Sequence, residues 1–322
     1  MKQKIIFPFI RTRLLIVLLL VVLLISCPQD PQEKKEYQGF NYEYYMWGLE
    51  ITGYTGTRTD ILFPSHIKNL PVISILGNEI LPNSGGGRTK APFENKNLTS
   101  VTFPDTIRYI NVGAFANNNL KEIQLPSNLT VLGALSFMNN QIASIVIPDS
   151  VWYNIGGYAF EGNKITELSI GSRVERIEYA AFRNNKIGSL TIPPNINFIG
   201  GYAFATNEIT ELNFSEGLDT VASNAFEGNL LTSLSLPAGV TIGYYVFINN
   251  NITKLNIGEN VRIGSGSFSG NFITYIEIGE NVQLYKDGNL PVFELGFDDF
   301  FLNNLSKAGT YVYENDKWEF SP

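Results

Sequence analysis

A phenylalanine recurs through most of this chain, at Phe93, Phe115, Phe137, Phe160, Phe182, Phe204, Phe226, Phe247 and Phe268. The intervals are 22, 22, 23, 22, 22, 22, 21 and 21 residues, so a slip of one residue never accumulates. Self-similarity at a fixed period of roughly 20–50 residues is the signature of a stacked array of small units. No globular arrangement of independent helices and strands requires it.

Each phenylalanine carries the same downstream pattern. Three residues later stands Asn118, Asn140, Asn163, Asn185, Asn207, Asn229, Asn250 or Asn271, and only the first repeat departs, with Lys96. Five residues later comes an aliphatic, Leu98 through Ile273, and further aliphatics follow at eight and ten, as in Leu190 and Ile192. The unit reads N-x-I-T-x-L-x-I, and its alternation predicts a strand with one buried face. Pro104, Pro126, Pro148, Pro193 and Pro237 end that strand, because proline cannot continue a ladder. A second apolar pair, such as Ile196 and Ile199, precedes the next Gly-x-Ala-Phe.

One such unit exposes an apolar face that it cannot cover alone, so units must stack. Stacking places equivalent residues about 4.8 Å apart. The phenylalanines then form an internal spine, with room left by Ala114, Ala159, Ala181, Ala203 and Ala225 beside them. The recurrent asparagine is expected to bind the turn backbone of its neighbour, giving a polar ladder inside the array.

The unit N-x-I-T-x-L-x-I-P…I-G-x-x-A-F, with close copies at residues 156–160 and 200–204 (both GGYAF), resembles the BspA-like, treponemal type of leucine-rich repeat. The resemblance spans about residues 50–283. It implies a mainly β fold: a right-handed leucine-rich-repeat solenoid of about nine to ten repeats, each 21–23 residues long, with terminal caps. It also implies surface attachment to host extracellular-matrix or cell-surface proteins or glycans, and it brings neither catalytic residues nor a cofactor.

The organisation around the array is expected as follows. Residues 1–26 read as a lipoprotein signal peptide: Lys2, Lys4, Arg11 and Arg13 precede an apolar run over 14–25, too short for a membrane span of about 20 residues. It ends Leu24-Ile25-Ser26-Cys27, a relaxed lipobox that places the only cysteine at the lipidation position, and the lipid would bring the bilayer as a partner. Residues 27–38 form a polar tether. Residues 39–76 form an N-terminal cap and a first atypical repeat, with Ile51-Thr52-Gly53-Tyr54 and Ile61-Leu62-Phe63-Pro64 as hairpin strands leading into a repeat that carries Ile67, Pro71, Val72 and Leu76. Residues 77–283 are the solenoid, in which Gly85-Gly86-Gly87-Arg88 marks a long surface loop. Residues 284–322 form a C-terminal cap, with a short helix over 297–305 and a hairpin about Asn315-Asp316.

Composition removes whole classes of chemistry. One cysteine and one histidine (His66) cannot build a zinc site, a Cys–His nucleophile or a disulfide framework. Formal net charge is −7; removing residues 1–26 deletes four basic and no acidic side chains, leaving 19 − 30 = −11. Such a chain repels phosphate backbones, so nucleic acid is not an expected partner.

Function is therefore sought on exposed positions. Along the first strand, Glu122, Ser144, Glu167, Ser189, Glu211 and Ser233 alternate up the ladder. Glutamates two rungs apart stand about 10 Å from each other, outside the spacing of a retaining glycosidase pair. The alternation is explained by keeping like charges from facing each other across adjacent strands. Thr99, Thr166, Thr210, Thr232, Thr253 and Thr274 make a second row that strand propensity explains. The aromatic recognition candidates are Tyr109, Tyr153 and Phe198 before the buried aliphatic of the second strand, Trp152 alongside, and Tyr158, Tyr202 and Tyr245 two residues before the spine. Three function classes follow: an adhesin-like binding module, a periplasm-facing envelope scaffold, and a polysaccharide-active enzyme. The last would need clustered Asp, Lys and Arg on neighbouring rungs.

Overall fold

The computed structural model describes residues 35–77, 91–287, 291–303 and 306–322. Residues 1–26, Cys27, residues 28–34 of the tether and the glycine-rich stretch at 85–88 lie outside the described residues, whereas Glu36–Tyr37, expected in the tether, forms a strand antiparallel to Phe40–Tyr45. Glu36–Pro322 forms one compact unit. It is a β-solenoid of about ten turns, mainly strand, with one short helix among the described residues.

Each turn contributes to two parallel ladders. The N-x-I-T-x-L-x-I segment supplies the first, with strands such as Ser189–Ile192 and Glu211–Phe214 paired residue for residue, Leu190 beside Leu212. The short second strand supplies the other, where Phe198–Ile199 lies between Val174–Ile177 and Thr220–Val221. Alternation fixes the register: Leu190, Ile192, Leu212 and Ile199 are buried, while Ser189, Thr191, Glu211 and Asn213 face outward. A slip by one residue would expose every core side chain of a rung at once.

The phenylalanines stack as a continuous internal column. Ring centroids from Phe115 to Phe268 stand 5.4–5.6 Å apart with interplanar angles of 6–14°. Phe93 extends the column at one end, and Phe293, beyond residue 283, adds a ring at the other, 4.9 Å from Phe268. Ala159, Ala181, Ala203 and Ala225 are fully buried beside the rings.

The asparagine ladder runs next to this column. Asn185 Nδ2 donates to the carbonyls of Phe160 (2.9 Å) and Phe182 (3.0 Å), and its Oδ1 accepts from the Ile165 backbone N–H (3.0 Å). Asn118, Asn140, Asn163, Asn207, Asn229, Asn250 and Asn271 repeat this bridge to the preceding turn. Each buried asparagine thus satisfies backbone groups that the tight arc would orphan. Two residues in every arc adopt left-handed φ. One column is Gly113, Leu135, Tyr158, Ala180, Tyr202, Asn224, Tyr245 and Gly266; the other runs from Asn95 and Asn117 to Asn249 and Gly270. Asparagine and glycine dominate the second column, as that conformation favours.

A third, exposed ladder follows the prolines. Asp105 accepts from the backbone N–H (3.0 Å) and hydroxyl (2.8 Å) of Ser127, and Asp149 does the same with Ser172 (2.7 and 3.0 Å). The Ser127 hydroxyl and the Ser172 N–H, respectively, are the largest causes holding these carboxyls below the usual aspartate value. A lowered folded-state pKa contributes stability above the unfolded value, and that stability is lost as pH falls through the folded one. Melting temperature should therefore drop on acidification below about pH 4. The Asp105→Asn/Asp149→Asn double variant should show a smaller acid-induced drop in a pH series by circular dichroism.

The ends depart from the expected pairing at one place. The N-terminal hairpin joins Phe40–Tyr45 to Gly48–Tyr54, and the second of these pairs in parallel with Leu70–Ile75 to start the second-strand sheet. The Asp60–Leu62 strand, expected as a hairpin partner of residues 51–54, instead pairs in parallel with Ser100–Thr102 as the first rung of the other ladder. The reason is packing: Ile61 is buried in register with Val101, and Phe63 stacks on Phe103 at 5.6 Å. At the other end the helix Phe297–Asn303 precedes the antiparallel strands Gly309–Glu314 and Lys317–Ser321, the former paired with Tyr275–Ile278. The turn residues Asn315 and Asp316 both have positive φ, as a tight hairpin turn of this kind needs. Asp298 is buried and accepts from the backbone N–H groups of Val292 (2.7 Å) and Phe293 (3.0 Å), tying the last ring of the spine to the helix.

Candidate binding surface

The outward face of the first ladder carries the glutamate and serine column. Ser144 pairs with Glu167 and Ser189 with Glu211, so each carboxylate faces a hydroxyl across the strand gap. Glu122 is exposed in a turn of the coil that lacks assigned strand pairing, between the Ser100 and Ser144 rungs. Glu122, Glu167 and Glu211 are thus solvated and separated by serine rungs. After Ser233 the column changes sign and character to Lys254 and then Tyr275, successive partners in register. The small Ser233 and Ser235 leave a shallow depression of about 290 Å³ bounded by Glu211, Asn213, Lys254 and Tyr275. The threonine row has a structural use: Thr166, Thr210 and Thr253 hydroxyls donate to backbone carbonyls one turn back at 3.1–3.3 Å.

The aromatic candidates fall into separate environments. Tyr109 is half-buried and meets Tyr45 of the N-terminal hairpin edge-on at 5.9 Å. Phe198 is half-buried beneath the Arg176 guanidinium, 3.8 Å from its ring centre, and Arg176 pairs with Glu178 at 2.9 Å. Tyr158 and Tyr202 flank Tyr179 at 5.2 and 5.5 Å, and the Arg183 guanidinium stands 5.4 Å over Tyr202. Arg183 also lies 3.8 Å from the buried Glu161, whose carboxyl is pushed up by burial and drawn back by that cation. Tyr245 is half-buried, and its ring lies against Gly266, where any side chain would collide with it. Tyr179, the centre of the tyrosine strip, stands three residues before Phe182 rather than two, so the spacing that marks Tyr158 and Tyr202 does not mark it.

Trp152 and Tyr153, with Tyr179 at 43%, are the exposed members of this set. Trp152 and Tyr153 are 62% and 45% exposed, with ring centroids 6.2 Å apart. They sit where the unit is 23 residues long. Val151 is buried nine residues before Phe160, whereas Ile107, Leu129, Val174 and Ile196 stand eight before their phenylalanines. The extra residue is absorbed as a β-bulge between Tyr153 and Asn154, with Tyr153 at φ 74°. Consequently Asn154, paired with Arg176, takes the place before the buried Ile155 that Tyr109 and Phe198 occupy in their own turns. Tyr153 does not take that place, because the bulge turns it outward. Bulges re-aim side chains and are frequent beside functional sites. Trp152 borders an open groove of about 540 Å³ with Ser172, Arg173, Glu175, Pro194 and Asn197. The groove offers a large indole face together with donors and acceptors of both charges.

Among the described residues no group of three histidine, cysteine, aspartate or glutamate side chains is placed to hold a metal ion, and no helix is long and apolar enough to cross a membrane. His66 is exposed, with Nδ1 3.2 Å from the Ser65 hydroxyl.

Comparison with known proteins agrees with this architecture. The model of the BspA type leucine-rich repeat region matches residues 89–208 and 153–274, six copies in all and together more than half of the chain. No curated protein sequence matches it. A leucine-rich repeat protein of Bacteroides ovatus superposes with a TM-score of 0.51 at 20% identity, over 77% of this chain and 76% of that one. A leucine rich cell surface protein of Faecalibacterium prausnitzii gives 0.42 at 17% identity, over 79% and 95%. The T. pallidum leucine-rich repeat protein gives 0.41 at 18%, over 67% and 88%. Because that repeat model covers more than half of the chain, the chain belongs to the BspA-type leucine-rich repeat family.

Proposed function

We propose that this chain is an exported bacterial surface lipoprotein, anchored through Cys27, whose solenoid binds proteins or glycans of a host matrix or of other cells. The observation that carries the reading is the exposed Trp152 and Tyr153 pair, held outward by an inserted residue in an otherwise regular array, with Trp152 bordering a polar groove. A left-handed tyrosine and a bulge cost stability, and strain of this kind persists where the surroundings enforce it, often at binding sites. Exposed tryptophan and tyrosine beside arginine and asparagine are the side chains that dominate protein contacts and stack on sugar faces. The fold needs no catalyst to be useful here, since a long, rigid, regular surface is what a binding module requires.

The test is binding of wild type and Trp152→Ala to arrays of matrix proteins and glycans. Truncating an exposed side chain should change folding stability by no more than about 0.5 kcal/mol, so Tm should hold. Affinity for the ligand found should fall at least about tenfold, as for an interface anchor. Unchanged binding by Trp152→Ala would remove this groove from the reading.

A further inference from the structure

The largest unexplained apolar feature lies at the N-terminal end. The hairpin of Phe40–Tyr45 and Gly48–Tyr54 closes with Tyr45 opposite Gly48, so Met46 and Trp47 form its tip. Trp47 is 82% exposed, Met46 65% and Tyr44 54%. Among the described residues no large apolar side chain is more exposed than Trp47. The base of the same hairpin is firmly seated: Phe40, Tyr42, Leu49 and Ile51 are buried, and Tyr45 packs on Tyr109. A rigid stem therefore presents an indole, a thioether and a phenol to the surroundings.

Two further observations say what covers them. The parallel register of Leu49 with Val72 places the neighbouring turn of Lys68 and Asn69, followed by the half-exposed Leu70, at the same end as the tip. That puts a lysine beside aromatic side chains, the combination enriched at membrane–water interfaces, where aromatic rings sit at headgroup level and lysine reaches the phosphates. The chain also enters from this side: Glu36 pairs with Asn41 and Tyr37 with Phe40, so the first strand runs away from the tip. Eight residues lie between Cys27 and Glu36, nine Cα–Cα steps with a reach of at most about 30 Å.

We infer that the Tyr44–Trp47 hairpin tip seats in the headgroup layer of the bilayer that carries the lipid anchor, so that the solenoid stands on the membrane by its N-terminal end. The inference rests on the anchored-lipoprotein reading above. A tether this short holds the tip at high effective concentration near the lipid, so a tip of weak intrinsic affinity still engages. Trp47 and Met46 need no rearrangement to insert. The far turns, including the Trp152 groove, are then held away from the membrane that carries them.

The test uses the mature lipidated chain in phosphatidylcholine–phosphatidylglycerol vesicles, with and without brominated phosphatidylcholine. Tryptophan emission of the wild type should be blue-shifted and quenched by the bromolipid. The quenching should be lost in Trp47→Ser and kept in Trp152→Phe, both with unchanged circular dichroism. Vesicle-floated protein whose emission is unquenched, or equally quenched in Trp47→Ser, overturns the inference while leaving the anchor intact. Blue-shifted emission without bromolipid quenching overturns it in favour of a second copy covering the tip. Protein that stays off the vesicles overturns it as well, and a mass lacking the lipid adduct identifies the anchor as what failed.

Discussion

Phe182→Ala should lower folding stability by about 3–5 kcal/mol, the cost of truncating a fully buried aromatic that its surroundings cannot refill. Phe182 stacks between Phe160 and Phe204, 5.4 Å from each, and both are themselves fully buried. The backbones on either side are pinned by the asparagine ladder, which limits collapse into the cavity. In a solenoid each turn touches only its neighbours, so the lesion weakens two interfaces and lies in the middle of the array. Chemical denaturation of the variant should therefore show an added early transition, with one half of the array unfolding before the other. A single sharp transition at the wild-type midpoint would mean that the column does not carry the stability assigned to it.

Asn185 is the second position of large effect, and the pattern of substitution matters as much as the size. Asn185→Ala leaves the Ile165 N–H without its acceptor and removes one of two donors from the Phe160 carbonyl. Orphaning a buried backbone donor costs about 1–3 kcal/mol, and with the remaining lost bonds the total should reach about 2–4 kcal/mol. Asn185→Asp is nearly the same size and still accepts from Ile165. It cannot donate, and it sets a carboxylate against the carbonyls of Phe160 and Phe182. It should therefore be no better than alanine at neutral pH and should improve on acidification, when the carboxyl becomes a donor. Denaturation midpoints at two pH values separate this account from a purely steric one, in which Asp would resemble Asn throughout.

The parts of this fold that repeat were legible in the sequence, because a period determines what must touch what. Fixed spacing put each phenylalanine over the next and each asparagine within reach of the previous turn, before any coordinate was known. What escaped was where the period is broken. Residues 60–67 (DILFPSHI) match residues 100–107 (SVTFPDTI) position by position, which marks Ile61 as a ladder residue. The separation of 40 residues hid that match, and alternation alone suits a hairpin as well as a rung. The added residue after Val151 was visible as an interval of 23, but an interval does not say which residue bulges. For that reason spacing alone puts Tyr153 in the column that Asn154 occupies. The exposure of individual aromatics was not legible either. Phe198 and Tyr109 have outward positions, yet one is covered by Arg176 and the other by a hairpin about 60 residues earlier in the chain. The column two residues after each phenylalanine, Asn or Gly except at Thr206, was present in the sequence, and read as a demand for left-handed φ it would have defined the arc.

A solenoid displayed outside the cell to bind there is open to protease added from outside. Intact and lysed cells are treated in parallel, with a periplasmic protein as leakage control. The solenoid should be digested on intact cells while the control survives. Protection until lysis would contradict surface display, placing the array inside the envelope and making a scaffold of envelope proteins the reading to pursue.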